Sequence, residues 1–293
     1  MEFNDLLKRH EIDPATVILM RHRPYEPNLA RVMPMLAFER PELFNGYQRA
    51  QGEREMKMMQ RLIGKGYLAS FIANGPGQAL FIGLYAVSGA RPVTFDQFWA
   101  MPENVELKAL GMSAGEWEKP ETLWFELDYQ DSFYSDWKGC LVVEWPGLER
   151  SWVRRAHNQS YNVLAVHAES ALAPVVPDWR SINLSWAELR LLPAAWRAQL
   201  SAWRAIYFIF DTADGKGYVG SAYGVENLLG RWLNYSASGH GGNKYLRGRL
   251  PDGFQFTILE RLSPDMEADD VIRRENTWKE RLHTRHPWGL NDN

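Results

Sequence analysis

The sequence predicts an α+β protein. Its C-terminal part reads as a small antiparallel sheet flanked by helices, joined to an N-terminal mixed domain with a small β-barrel-like sheet. Three observations carry this reading. The chain of 293 residues is long enough for two compact domains. Residues 60–170 hold several short strand-like runs bounded by turn residues, with few long helical patterns among them. From residue 203 the order becomes two strands, a helix, a strand and a helix. The expected division is a first domain over residues 1–170, a helical linker over 171–202 and a second domain over 203–293.

Composition narrows the class. With 45% hydrophobic and 24% charged residues, the chain reads as a soluble globular protein able to bury a sizeable core. Its single cysteine, Cys140, excludes an internal disulfide framework and a cysteine-clustered zinc site. Cys140 opens the apolar run Cys140-Leu141-Val142-Val143, so a buried structural thiol is expected. Met1-Glu2-Phe3-Asn4-Asp5 shows no basic stretch leading into an apolar one, and no run approaches the roughly 18 apolar residues of a membrane helix. A cytoplasmic protein without a membrane partner is therefore expected. A net charge of −3 argues against indiscriminate coating of nucleic acid, although a local basic stripe still attracts phosphate.

Along the N-terminal part, residues 1–60 read as largely helical in short pieces. Phe44, Tyr47, Met56, Met59 and Ile63 fall near helical spacing, with Gln48, Arg49, Arg54, Lys57 and Arg61 on other faces. Those basic residues read either as a solvated face or as a phosphate-binding one. Residues 67–72 and 79–87 are strand-like, and Asn74-Gly75-Pro76-Gly77 between them reads as a hairpin loop. Residues 122–127, 140–144 and 163–166 are further strand candidates. The linker begins near Pro174 and Pro177. Ser185-Trp186-Ala187-Glu188 then has capping-box spacing and opens a helix that runs to Pro193, followed by a second over residues 194–203.

At the C-terminus, residues 206–211 and 217–221 read as strands joined at Asp214-Gly215-Lys216-Gly217, because Asp-Gly between apolar runs is a hairpin signal. Residues 227–235 read as a helix with Arg231 and Tyr235 four apart, and so on one face. Residues 254–260 alternate as a strand. Residues 269–282 read as a helix, with Asp269 and Asp270 at its start and Arg281 near its end, as the helix dipole favours.

Ala205-Ile206-Tyr207 and Tyr218-Val219-Gly220, followed in order by Arg231, Glu275 and Asn291, resemble the signature of the GIY-YIG nucleases. The resemblance covers residues 203–293 and implies a metal-dependent endonuclease that hydrolyses phosphodiester bonds in DNA. Phenols such as Tyr207 and Tyr218, with an ordinary pKa near 10, relay or accept a proton when a metal-bound water and a cation are close. The family implies that one of them does so, and Tyr207 is the favoured base. Arg231 offers a planar, permanently charged fork to the scissile phosphate. Tyr235 matches a position where the family has His or Tyr near the phosphate. Glu275 is by resemblance the sole protein ligand of one Mg²⁺ or Mn²⁺, a hard cation that keeps most of its waters. Asn291 resembles the asparagine that holds the site by hydrogen bonds, with Asn293 as a fallback match. Two departures stand out: Ala205 replaces the usual first glycine, and Ser221 occupies the place of a lysine found in many relatives. Lys216 and Lys244 are the cations considered in its stead. The glycine-rich stretch over residues 236–244, with Lys216, Lys244, Arg247 and Arg249, reads as a flexible loop or as a lining for a DNA backbone. His240 reads as incidental, and His283 and His286 lack the cysteine pair that would complete a structural zinc site.

Target selection is expected upstream. Trp99, Trp124, Phe125, Phe133, Tyr134, Trp137, Trp145 and Trp152, with Arg150, Arg154 and Arg155 beside the last, loosely look like the PUA-like β-barrels, some of which bind flipped or modified bases. Ordinary core aromatics are the competing account. The expectation is therefore a DNA endonuclease with an N-terminal recognition domain, in the form of a modification-sensing restriction enzyme. Its rivals are a repair or mobile-element nuclease and a catalytically idle DNA-binding adaptor. A single active site cuts one strand, so double-strand cleavage calls for two engagements or a homodimer.

Overall fold

The computed structural model describes residues 1–292 apart from 114–119, 148–151, 174 and 226. Arg150, Pro174 and Asn293 thus lie outside the described residues. The chain divides into two compact units, Met1–Ala173 and Pro174–Asn293.

The first unit runs α1 (Phe3–Arg9), β1 (Val17–His22), α2 (Pro27–Glu39), α3 (Pro41–Arg49), α4 (Glu53–Gln60), β2 (Tyr67–Ala73), β3 (Gln78–Thr94), α5 (Phe95–Ala100), α6 (Pro102–Ala109), β4 (Glu121–Tyr129), β5 (Leu141–Glu144), β6 (Val153–Arg155) and β7 (Val163–Val166). The β-barrel-like sheet takes the form of a curled, seven-stranded mixed sheet in the order β6-β1-β2-β3-β5-β7, with β4 added on β3. β3 makes this possible by its length of 17 residues. It pairs with β2 along one edge, and with β5 and then β4 along the other.

Strand β1 corrects the largely helical reading of residues 1–60. All six of its residues are buried, because it lies between β2, which it pairs in parallel, and β6, which it pairs antiparallel. Leu19 packs with Phe3, Phe71 and Phe81 on one face, and Ile18 and Met20 with Met59 and Leu68 on the other. A strand covered on both faces shows no polar alternation, which is why it resembles a helical apolar run. The continuous helical spacing over residues 44–63 also breaks, since Ala50 is extended and Gly52 caps α4. Trp124, Phe125, Phe133 and Trp145 are buried core, and Cys140 is a buried free thiol.

The second unit comprises β8 (Asn183–Ser185), α7 (Trp186–Arg190), α8 (Ala194–Ala202), β9 (Arg204–Asp211), β10 (Lys216–Ala222), α9 (Asn227–Ser238), β11 (Phe254–Leu262) and α10 (Ala268–Arg281). Its antiparallel sheet has the order β10-β9-β11-β8. The segment expected as a helical linker is part of this unit. β8 pairs with β11, the Ser185–Glu188 capping box opens α7, and Leu189 and Leu200 are fully buried in the core with Trp232 and Phe256. Three paired residues are too few to register as a strand in sequence, which hides the connection. One sheet face packs on α9 through Tyr207, Ile209, Leu228 and Trp232. The other packs Ile206, Val219 and Leu262 against Val271 of α10.

Candidate active site

Strand alternation gathers the tyrosines. Tyr207 stands opposite Gly220, and Tyr218 opposite Ile209. Directly opposed residues of an antiparallel pair share a face, and so do positions two apart. Tyr207 and Tyr218 therefore both point toward α9, with ring centroids 6.4 Å apart. The last residue of the second motif must be glycine for steric reasons: a Cβ at Gly220 would lie 2.4 Å from the Tyr207 hydroxyl.

Helix α9 completes the cluster with residues one turn apart. Tyr235 Oη lies 3.2 Å from Tyr207 Oη, and Arg231 Nε donates to the Tyr207 hydroxyl at 3.3 Å. The guanidinium also sits over the Tyr235 ring at 5.6 Å. Tyr207 and Tyr235 are fully buried, while Tyr218 is 9% exposed and Arg231 faces solvent. Burial, and then the neighbouring Tyr218, push the Tyr207 phenol above its ordinary range, although Arg231 works in the opposite direction. Burial likewise raises Tyr235, reinforced by Tyr207 and Tyr218. Burial opposes the charge on Arg231, but the Tyr207 and Tyr235 hydroxyls more than offset it and hold the guanidinium above its usual value. The result is a neutral phenol cluster capped by a fixed cation. Such a cap suits an incoming phosphate, because Arg231 makes its tyrosine contact through Nε.

Glu275 reaches strand β10 from the α10 side. Its Oε2 accepts a short hydrogen bond from Ser221 Oγ, and its Oε1 pairs with Lys279 Nζ at 2.8 Å, one helical turn on. Ser221 adjoins Gly220 in the chain, so the carboxylate and the tyrosine cluster are fastened to successive residues of one edge strand. Lys279, 4% exposed, is a buried cation beside Glu275 that the sequence did not single out. It stands at i,i+4 from Glu275, a spacing that ordinary surface pairs also show. Neither Lys216 nor Lys244 takes this place. Lys216 Nζ donates to Pro287 O at 3.3 Å, and Lys244 pairs with Asp292 at 3.0 Å.

The donor set at Glu275 fits a hard divalent cation that keeps most of its waters. Each carboxylate oxygen carries one hydrogen-bond partner and a further lone pair, and the side chain is 18% exposed, so water reaches it. Among the described residues no cluster of three or more His, Cys, Asp or Glu is arranged to hold a metal ion. A metal here would rest on Glu275 alone.

Asn291 acts as a clamp. Its Oδ1 accepts from Val219 N–H at 2.9 Å and its Nδ2 donates to Val219 C=O at 2.8 Å, while Leu290 N–H donates to Gly217 O at 2.9 Å. The side-chain amide takes the place of a neighbouring strand along the outer edge of β10. Of the cations expected to line DNA, Arg249 is occupied within the protein. It bonds Asp211 at 2.6 Å, Asp214 at 2.9 Å and Tyr245 O at 3.0 Å. Its guanidinium thus ties the residue 245–249 segment to the hairpin turn, and holds the Asp214 carboxyl below its usual range. Arg247 is exposed. The glycine-rich stretch is anchored at Gly241, where a Cβ would meet the Tyr235 ring at 2.5 Å.

Residues 204–291 match the GIY-YIG catalytic domain family. The solved catalytic domain of the homing endonuclease I-TevI is 30% identical, covering 31% of this chain and 98% of its own length, with a TM-score of 0.26. A mutant of the catalytic domain of the intron endonuclease I-TevI is 29% identical over 30% of this chain and 92% of its own, with a TM-score of 0.25. Comparison with curated protein sequences yields no match. The chain belongs to the GIY-YIG family through its C-terminal unit, and that unit is a nuclease domain.

Proposed function

We propose that the protein is a metal-dependent DNA endonuclease, that its first unit selects the target, and that it acts in modification-sensing restriction. The observation that carries the nuclease reading is the hydrogen-bonded convergence of Tyr207, Tyr218, Arg231 and Tyr235 beside the strand that also fastens Glu275. Tyr218 is the phenol of the pair nearer solvent. Arg231 holds the scissile phosphate through the nitrogens not engaged with Tyr207 and stabilises the charge that grows on it. Burial keeps Tyr207 neutral in the free protein, so its action as a base is tied to the positive charge around it, of which hydrogen-bonded Arg231 is the resident part. Glu275 would hold a Mg²⁺ or Mn²⁺ ion, which would supply charge stabilisation to the phosphate and the leaving oxygen. Asn291 keeps β10 in register, and with it Tyr218 and Ser221. An idle adaptor would have no use for this complete set.

The restriction role rests on the first unit, where aromatic side chains remain partly open. Tyr134 stacks on Trp137 at 4.5 Å, and Trp152 meets the exposed Tyr25 edge-on at 4.9 Å. Such rings suit a displaced base. The test is a cleavage assay with Mg²⁺ or Mn²⁺ on plasmid and on differently modified phage DNAs. Cutting confined to modified DNA is expected; equal cutting of unmodified DNA removes the restriction role in favour of a repair or mobile-element nuclease. No cutting of any DNA removes the enzyme reading. Glu275→Ala is expected to abolish cutting while DNA binding survives. Double-strand cuts with first-order dependence on protein would count against a homodimer.

A further inference from the structure

The first unit contains a cavity of about 250 Å³ with a cationic rim and an apolar floor. Arg61, Lys65, Arg155 and His157 form the rim, and Ile18 and Leu62 lie beneath them. The four basic residues come from two segments almost a hundred positions apart, and the fold dictates their meeting. Ile18 of β1 stands directly opposite Arg155 of β6, so both side chains emerge on one sheet face. The turn after α4 covers that face. Leu62 packs on it with Ile18 and Met59, and Gly66 closes the turn so tightly that a Cβ there would meet Thr16 O at 2.6 Å. Gly64 N–H to Val87 O at 2.8 Å and Val87 N–H to Gly66 O at 3.0 Å pin the same turn to β3. His157 follows on a short helical turn held by the fully buried Ala156. The rim is therefore built on fixed backbone.

Three other basic residues of this unit are engaged. Arg154 stacks on Trp145 and bonds Pro146 O and Gln159, Arg49 lies over Trp124, and Lys57 pairs with Glu53. Among the described residues, none of the four rim side chains forms an ion pair. In a chain of net charge −3, a concentration of cations without acidic partners calls for an anion from outside. The cavity is too small for a protein element, and its basic rim suits a phosphate group.

We propose that this pocket binds the phosphodiester backbone of the DNA substrate, as an anchoring site in a different unit from the nuclease residues. The proposal rests on the DNA endonuclease reading above. The test measures binding of a fluorescent duplex to the full-length protein by anisotropy across a salt series without divalent metal, and cutting of the same duplex with Mg²⁺. Replacing Arg61, Lys65 and Arg155 together by alanine is expected to weaken binding on the order of 10- to 100-fold and to flatten the salt dependence by about two to three phosphate contacts. Replacing both arginines by lysine is expected to retain affinity within about threefold, since a phosphate accepts either cation. The exposed pair Lys8→Ala and Arg9→Ala serves as a charge control with unchanged binding, and thermal unfolding checks that each variant is folded. A triple variant that is folded and keeps wild-type affinity and salt slope overturns the proposal while wild-type cutting keeps the nuclease reading intact. Wild-type protein that neither binds nor cuts DNA overturns both. Loss of mononucleotide binding with duplex binding unchanged would make the pocket a small-nucleotide site and overturn the DNA assignment.

Discussion

Gly220→Ala tests the geometry of the site at its tightest point. The added Cβ would stand 2.4 Å from Tyr207 Oη, 2.5 Å from its Cζ and 3.0 Å from Cε2, where carbon contacts settle near about 3.5–4 Å. Tyr207 has no open side to retreat to, since Tyr218, Trp232 and Tyr235 surround it at centroid distances of 6.4, 6.3 and 6.1 Å. Either the ring moves by about 1 Å or β10 parts from β9. Overpacking of this kind costs about 1–3 kcal/mol. Weakening the 3.2 and 3.3 Å hydrogen bonds to Tyr235 and Arg231 adds about 0.5–1.5 kcal/mol each. The combined cost of roughly 2–6 kcal/mol corresponds to a melting temperature lower by roughly 8–24 °C for a unit of this size. Displacement of a reacting group by about 1 Å lowers turnover on the order of 100-fold. Calorimetry and plasmid nicking read the two effects, with Gly224→Ala as comparator because a Cβ there meets nothing within 4 Å. A Gly220→Ala protein with wild-type melting and wild-type nicking would refute the assignment of Gly220 as the seat of Tyr207.

Three further outcomes are expected. Asn291→Ala leaves the buried Val219 N–H and C=O without partners, at about 1–3 kcal/mol for each group, so urea unfolding should shift and nicking should fall together; normal stability would refute the clamp. Lys279→Met removes the positive charge from Glu275, so Mn²⁺ should bind about tenfold more tightly by calorimetric titration; unchanged affinity would show that lysine and metal do not compete. Burial lowers the His22 pKa to about 4, only partly countered by its bond to Gln48. Its folded value thus lies below the ordinary 6.5, and the unfolded chain takes up the proton first. Its contribution is complete above pH 6.5 and falls by about 3 kcal/mol as pH drops to about 4. Stability of His22→Phe measured by urea unfolding should be less sensitive to pH in that window, and an unaltered slope would count against a neutral buried His22.

The legibility of the chain follows from how locally each element is specified. β9, β10, α9, β11 and α10 announce themselves through local signals: the Asp-Gly turn marks the β9–β10 hairpin, alternation marks β11, and acids and bases at the two ends mark α10. β1 does not, because burial on both faces erases the polar half of its pattern. β6 and β8 are three residues each, below the length at which a period is readable. Side-chain tasks are less legible than elements. Nothing local distinguishes Arg249, tied to two aspartates, from Arg247, which is exposed, and the Glu275–Lys279 pair has the spacing of countless surface pairs. The meeting of Arg61 with Arg155 depends on the β1–β6 pairing, which no short segment encodes.

Strand β10 explains why a short motif carries so much information. Five successive residues are each constrained by a different partner. Gly217 accepts from Leu290 N–H, and a Cβ there would meet the Phe208 ring at 2.2 Å. Tyr218 enters the phenol cluster, Val219 is clamped by Asn291, Gly220 lies beneath Tyr207, and Ser221 binds Glu275. The strand alternates between the two sheet faces, so it couples a cluster on the α9 side to a carboxylate on the α10 side. It is also the edge of the sheet beyond β9, where the C-terminal segment hydrogen-bonds its backbone at Gly217 and Val219. By the same alternation the backbone of Ser221 points outward along that edge, next in line after the Asn291 clamp. On the proposed reading, a phosphodiester approaching this edge would meet Arg231 and Tyr218 from one face and Glu275 from the other, so that residues on opposite sides of the sheet could act on one phosphate.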